Sequence, residues 1–266
     1  MIRICLAGVT GWVGRGLVPA IGDAPDLELA SAVSRASAGR SLSDWIGKGA
    51  PAIPVSGSVA EALSKSPCDV LIDYTSPEAV RANVLEAVGR GVHAVIGTSG
   101  LTEDDFAAID AAAKEMRVGV LAAGNFALTA VLLQRFAEAA ARHVPQWEIV
   151  DYGKAGKPDA PSGTARELAA RLAAVREPAV AYPIDRTHGL REARGATLSG
   201  TQVHSVRLPG FVSSVEVLFG MPEERLTIRH DSGFGAGPYV AGTLLGVRRV
   251  AGFAGLRRGL DRVLDL

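Results

Sequence analysis

IRICLAGVTGWVG, residues 2–14, is the stretch that decides the fold. Residues 2–7 form the short apolar run expected of a strand buried in a parallel sheet. Gly8 to Gly14 follow as a GxxGxxG turn leading into a helix that runs to about Ile21. Strand, glycine turn and helix in that order permit a tight turn, close backbone approach to a pyrophosphate and close helix–strand packing, with phosphates at the helix N-terminus. Gly8, Thr10, Gly11, Trp12, Val13 and Gly14 are therefore candidate cofactor-binding residues. The same spacing also fits a structural glycine turn without a ligand.

A second strand is expected over residues 27–33. It ends about twenty residues past the motif, where an acidic residue normally holds a ribose 2′-hydroxyl. Ser34 and Arg35 stand there instead, followed by Ser37 and Arg40. No carboxylate repels a 2′-phosphate and two guanidinium groups could bind one, so NADPH is the preferred cofactor and NADH the alternative. The alternation continues with a helix over 59–64, a strand over 68–73 and a helix opened by Pro77. A strand over 93–96, a helix capped by Thr102 with Asp105 at the capping-box position, and a strand over 118–122 complete it. Open parallel sheets bind ligands at the carboxyl ends of their strands. Tyr74, Thr75, Gly97, Thr98, Asn125 and Phe126 lie in three such loops and are expected to edge a nicotinamide.

Composition narrows the function classes. Lys plus Arg and Asp plus Glu stand at 28 each, so no bulk field favours nucleic acid or an anionic membrane, and any anion site must be local. The N-terminus lacks a basic region followed by a long apolar run, so no secretory leader is expected. The apolar run over 118–133 is broken by Gly124-Asn125 and reads as strand then helix, not as a membrane span. Cys5 and Cys68 read as buried thiols. Two cysteines give neither a disulfide framework nor a metal site, no metal-ligand cluster is present, and a cytoplasmic location fits.

After residue 126 the pattern changes. A long helix over 128–142 and a strand over 148–152 precede KAGKPDAPSGTARELAARL, residues 154–172. Ser162 is a suitable N-cap, and Leu168, Ala169, Leu172 and Ala173 make an apolar helical stripe. Pro161 keeps the preceding turn out of the helix. Free N–H groups, the positive end of a helix dipole and two nearby lysines together suit a carboxylate or phosphate, although an ordinary capped helix reads the same way. An irregular stretch over 176–198 follows. Three strand-like segments, 202–208, 215–219 and 225–230, then lack intervening helices and indicate an antiparallel or mixed sheet of α+β type. A glycine-interrupted helix over 238–250 and an amphipathic segment over 256–264 end the chain.

These elements and motifs resemble the bacterial dihydrodipicolinate reductase family of lysine biosynthesis nearly end to end. The resemblance rests on GVTGWVG at 8–14, DYTSPEA at 73–79, GTSG at 97–100, GNF at 124–126, KPDAPSGTA at 157–165, VHSVRLPG at 203–210 and ERLTIRHDS at 224–232. It implies an α/β fold, with a Rossmann-type parallel-sheet domain joined to a smaller α+β domain with a mixed sheet. The first domain is expected over 1–126, with C-terminal helices at about 237–266 returning to it. The second, over 127–236, is expected to bind substrate and build a homo-oligomer, a tetramer in this family. The implied reaction is NADH- or NADPH-dependent reduction of a cyclic imine dicarboxylate, with closure between the domains on substrate binding. Lys157 is then the proton donor or carboxylate partner. Ser162, Gly163 and Thr164 hold a substrate carboxylate, and Asp159 either orients Lys157 or stabilises the turn.

The chain also departs from the family. A histidine pair in the pattern HHxxK is usual before the lysine, and Gly153 and Lys154 stand in those places. Lys154 is a candidate replacement, though lysine donates a proton in a different pH range from histidine. The usual Gly-Glu-His is Ser213-Ser214-Val215, and a usual Ser-Arg is replaced within Gly233-Phe234-Gly235. Together these losses leave open an alternative, a related imine or carbonyl reductase acting on a different carboxylate-bearing substrate. Arg207 faces either the substrate cleft or a strand surface, and His204 lies on the same strand. His230 is expected to satisfy a backbone group.

Overall fold

The computed structural model describes residues 1–46 and 51–265; residues 47–50 and 266 lie outside the described set. Two compact units emerge, Met1–Leu128 with Ala236–Leu266, and Thr129–Gly235. In chain order the elements are β1 (Ile2–Ala7), α1 (Trp12–Gly22), β2 (Leu27–Val33), α2 (Ser43–Ile46), β3 (Val55–Ser56), α3 (Val59–Lys65) and β4 (Val70–Asp73). Next come α4 (Pro77–Gly89), β5 (His93–Ile96), α5 (Glu103–Glu115), β6 (Gly119–Ala122) and α6 (Leu128–Ala141). β7 (Gln146–Gly153), α7 (Gly163–Val175), β8 (Ala196–Leu198), β9 (Thr201–Arg207), β10 (Ser213–Met221) and β11 (Glu224–Ser232) follow, then α8 (Gly237–Arg249) and β12 (Gly255–Arg258).

The first unit is a seven-stranded sheet in the order β12-β6-β5-β4-β1-β2-β3, with every pair parallel. Every residue of β4 and β6 is buried, as strands covered by helices on both faces require. The chain runs outward from β1 to β3, then returns to the other side of β1 at β4. Strand order therefore reverses between β1 and β4, beside the glycine turn. Local signals set the helix starts. Ser58 accepts the Glu61 N–H, Pro77 opens α4, and Thr102 with Asp105 forms a complete capping box.

The second unit is a five-stranded mixed sheet in the order β11-β10-β7-β9-β8. β7 and β9 are parallel and joined by the α7 crossover; the other pairs are antiparallel. One face of this sheet, with Trp147, Ile149, Val203, Val215, Val217 and Phe219, packs on Leu133 and Ala137 of α6 and Leu168, Ala169 and Leu172 of α7. The Trp147 indole donates to Thr201 Oγ1 at 3.0 Å, so its one polar atom is paired on burial.

Three expectations need correction. Residues 256–264 are not helical: β12 adds a seventh strand beside β6, and a 3-10 turn spans Leu260–Val263. Gly255 and Gly259 have φ of +86° and +99°, which ends the helical course, and Asp110 accepts the Leu256 N–H at 2.8 Å. The 176–198 stretch holds strand β8 and 3-10 turns at Ile184–Arg186 and Arg191–Arg194. Cys5 is buried, but Cys68 is only half-buried.

The sheet leaves no room at Gly119, where a Cβ would lie 1.9 Å from the Val250 carbonyl oxygen. Gly119→Ala is expected to cost about 1–3 kcal/mol through overpacking. Calorimetry should show a melting temperature lower by roughly 3–10 °C.

Candidate active site

In the first unit the glycine turn and the loops after β4 and β5 meet at the carboxyl edge of the sheet. Gly8 has φ +84°, and a Cβ there would lie 2.1 Å from the Tyr74 carbonyl oxygen. A Cβ on Gly14 would lie 2.3 Å from the Gly8 carbonyl oxygen. Only hydrogen fits at either place, so the turn, α1 and the β4 loop close into a cradle. Arg15 is the first residue of α1 whose N–H finds a helical partner, the Gly11 carbonyl at 3.0 Å. The N–H groups of Trp12, Val13 and Gly14 have none within the helix, and no acidic side chain occupies its first turn. This donor set fits a pyrophosphate.

Side-chain contacts link the rim around the cradle. Thr10 Oγ1 meets Ser34 Oγ at 2.9 Å, which ties the turn to the end of β2. Arg35 is exposed on the 3-10 turn that follows, while Arg40 and Arg15 lie 5.7 and 6.0 Å from the Trp45 ring centroid. Trp12 is exposed and meets Tyr239 of α8 edge-on, with centroids 5.5 Å apart. Beneath the rim the Asp73 carboxylate is fully buried. It accepts the Thr75 N–H (3.0 Å), the Thr75 and Thr98 hydroxyls (2.7 Å each) and the Asn83 amide (2.8 Å).

Of the six residues expected to edge a nicotinamide, Tyr74, Thr75, Gly97, Thr98 and Asn125 are partly exposed in those loops and Phe126 is buried. The Phe126 side chain is turned inward, and the Tyr74 ring packs beside it. Phe126 is 1% exposed, 6.0 Å from the Tyr74 ring. The Tyr74 hydroxyl bonds Thr243 Oγ1 at 2.7 Å, and burial pushes that phenol well above its ordinary pKa. Large aromatic surfaces gain more from burial than from a place on a polar rim.

In the second unit the loop between β7 and α7 carries the other candidates. Ser162 caps α7, accepting the Ala165 N–H at 3.2 Å, and its own N–H donates to Asp151 Oδ2 at 2.8 Å. Ser162 is buried and shapes the loop, whereas Gly163 and Thr164 sit at the first two helical positions, where N–H groups lack helical partners. Lys157 is ion-paired with Asp159, whose carboxyl that contact lowers below its usual range. Lys154 is exposed, and its carbonyl accepts the Lys157 N–H at 3.0 Å.

Arg207 faces this loop from the adjacent strand. Nη2 donates to Asp151 Oδ2 and to the Asp159 carbonyl, both at 2.7 Å, and Nη1 donates to the Asp151 carbonyl at 3.1 Å. Asp151 and Asp73 went unread in the sequence. Each is an acidic residue inside an apolar strand, and that contradiction was the available signal. His204 points to the other face of the sheet and meets Glu148 at 2.7 Å. His230 bonds the Thr129 hydroxyl at 2.9 Å, a side chain and not a backbone group, and burial lowers its pKa. A cavity of about 440 Å³ lined by Trp147, Arg194 and Phe219 opens at the far end of β7 and shares no residue with the loop.

A parallel sheet with a glycine turn at its switch point, followed by a mixed-sheet unit with an anion-receptive helix start, defines the class of two-part nicotinamide-dependent oxidoreductases. The comparisons are specific. The family profile described as dihydrodipicolinate reductase, N-terminus, matches residues 2–126, and that for its C-terminus matches residues 129–264. Two relatives named 4-hydroxy-tetrahydrodipicolinate reductase are close over the whole chain. That of Lactococcus lactis subsp. cremoris MG1363 is 38% identical, covering 100% of this chain and 98% of its own. That of Desulfitobacterium hafniense DCB-2 is 35% identical, covering 99% of each. The solved dipicolinate-bound dihydrodipicolinate reductase of Paenisporosarcina sp. TG-14 superposes with a TM-score of 0.90 at 32% identity, over 99% of this chain and 100% of that one. The amine dehydrogenase of Mycobacterium smegmatis, at 17% identity and TM-score 0.67 over 98% and 95%, shares the fold. This chain belongs to the dihydrodipicolinate reductase family and is an NAD(P)H-dependent oxidoreductase.

The loop's anchor carries a pH signature. Burial works against the Asp151 charge, yet the hydrogen bonds from Arg207 and Ser162 prevail and hold its carboxyl below the usual range. Its stabilising contribution is therefore present above the ordinary aspartate value of about 4 and is lost as pH falls through the lower folded value. Urea unfolding followed downward from about pH 6 should show this loss as an acid limb that Asp151→Asn flattens. An acid limb identical in the two proteins would contradict it.

Proposed function

We propose that the chain reduces a cyclic imine dicarboxylate of the dihydrodipicolinate type, in lysine and diaminopimelate synthesis, with NADPH preferred over NADH. The observation that carries this reading is the start of α7. Unpaired N–H groups of Gly163 and Thr164 stand on the same loop as the Lys157 ammonium, in a chain that matches the family from end to end. Neither the family match nor the relatives point to a different substrate.

A nicotinamide held by the first unit would supply hydride chemistry. Gly8, Gly11 and Gly14 with the free N–H groups of Trp12 and Val13 would hold the pyrophosphate; Thr10 and Ser34 would brace that turn, and Arg35 would face the 2′-phosphate. Thr75, Gly97, Thr98 and Asn125 would edge the nicotinamide. In the second unit Gly163 and Thr164 bind one substrate carboxylate over the capping Ser162. Lys157 gives a proton or pairs with a carboxylate, and Lys154 is the second available cation. The Lys157–Asp159 pair is partly exposed, with Asp159 at 40%, so it is weak enough to exchange Asp159 for a substrate carboxylate.

Three finer statements belong to the same reading. The chain forms a homotetramer through the sheet face of the second unit that α6 and α7 leave uncovered, where Val150, Val206 and Leu218 alternate with charged residues. No nucleic acid or membrane partner is expected; among the described residues no helix is long and apolar enough to cross a membrane. Two free cysteines suit a reducing cytoplasm.

Purified protein should oxidise NADPH when freshly generated dihydrodipicolinate is supplied; no oxidation above background would overturn the substrate assignment. Lys157→Ala should lower kcat by about 10²–10⁴, the range for loss of a general acid. Arg35→Ala should raise the KM for NADPH by about tenfold while leaving that for NADH nearly unchanged. Equal effects on both cofactors would remove the preference.

A further inference from the structure

We propose that Asp151 and Arg207 are positioning residues for the carboxylate-binding loop, and that Gly153 is glycine because their arrangement fills the space of its side chain. The proposal rests on the substrate reading above and adds to it the parts that set the loop's geometry.

The pair is buried where the loop is not. Their side chains are 2% and 14% exposed, against 23% for Lys157 and 40% for Asp159. The second half of the loop is fixed at two points from this one contact. The Asp159 carbonyl is held by Arg207, and the Ser162 N–H is held by Asp151 Oδ2 at 2.8 Å. Ser205 Oγ reaches the same Asp151 oxygen at 3.3 Å. Fixing Ser162 fixes the first helical turn, and with it the direction of the Gly163 and Thr164 N–H groups. A buried ion pair stabilises a fold less than apolar side chains of similar volume, because both charges are desolvated. Its use here is geometric: the planar guanidinium spreads its donors over the Asp151 carboxylate, the Asp151 carbonyl and the Asp159 carbonyl, and so holds strand and loop in one register.

Gly153 completes the arrangement. It lies opposite Arg207 in the β7–β9 ladder. A Cβ there would lie 2.9 Å from Lys157 Cδ and 3.2 Å from Arg207 Cδ and Nε. The Lys157 stem and the Arg207 chain therefore cross the volume that a side chain at 153 would claim. Because Arg207 is neutralised by Asp151, it does not compete with Lys157 for substrate. Lys157 keeps the exchangeable partner and Arg207 the permanent one.

Arg207→Lys tests this, since it keeps the charge and most of the volume while removing the planar spread of donors. Amide hydrogen exchange at Ser162 should accelerate about tenfold or more, as expected for loss of charge-assisted hydrogen bonds in its support. KM for the cyclic dicarboxylate should rise about tenfold, with kcat within about threefold and the KM for NADPH unchanged. Asp151→Asn should accelerate Ser162 exchange in the same way, which keeps the test informative if one variant folds poorly. Gly153→Ala should raise the same KM, because the added methyl displaces the Lys157 stem. Unchanged Ser162 exchange in both Arg207→Lys and Asp151→Asn overturns the proposal. So does a fall in kcat at constant KM, which would make Arg207 a participant in the chemistry. Faster Ser162 exchange in a protein whose wild-type form reduces no cyclic dicarboxylate upholds the positioning pair and rejects the substrate reading.

Discussion

The first N–H groups of an α-helix have no partner inside the helix, and both units of this protein are arranged around that shortage. In the first unit the unpaired donors begin α1, immediately after a glycine turn that allows no side chain at Gly8 or Gly14. In the second they begin α7, after a cap that commits Ser162 and leaves Gly163 and Thr164 open. The positive ends of the two helices suit two different anions, a pyrophosphate and a carboxylate. In each unit a parallel strand–helix–strand connection starts the helix at the carboxyl end of a strand.

Around each helix start, burial separates permanent contacts from exchangeable ones. Asp73 takes hydrogen bonds from Thr75, Thr98 and Asn83 beneath the rim of the glycine turn, and Asp151 takes them from Arg207 and Ser162 beneath the β7–α7 loop. Both carboxylates are sealed from solvent, where leaving a partner unpaired costs most. Above them, Arg35 is exposed and the Lys157–Asp159 pair is partly so, where solvent makes ion pairs weak and replaceable. The fold thus keeps buried, paired acid groups below and more exposed cations above.

Much of this was legible in the sequence because the signals were local. Strand, glycine turn and helix over 2–21, the Thr102–Asp105 capping box, Pro77 at a helix start and the Ser162 cap all depend on residues a few positions apart. What escaped depended on distance or on shortness. β3 and β12 have two and four residues, too few for a period to register, and β12 is held by a contact with Asp110 far away in the chain. Tyr74 and Phe126 belong to loops with ligand-binding chemistry, yet their rings pack against each other and the Tyr74 hydroxyl meets Thr243. Asp151 and Arg207 are 56 residues apart, and only the β7–β9 register brings them together. The absence of a side chain at 153 read as a missing histidine; beside Arg207 and Lys157 it reads as occupied space.

Receipt of a substrate carboxylate at the start of α7 is the step on which the proposed chemistry turns. The most direct measurement is a titration of isotope-labelled protein with pyridine-2,6-dicarboxylate, following backbone amide resonances. Saturable shifts at Gly163 and Thr164, lost in Lys157→Ala while the Ser162 amide stays protected from exchange, are the predicted result. Saturable binding that leaves Gly163 and Thr164 unmoved, or no binding by a folded protein, would contradict the account.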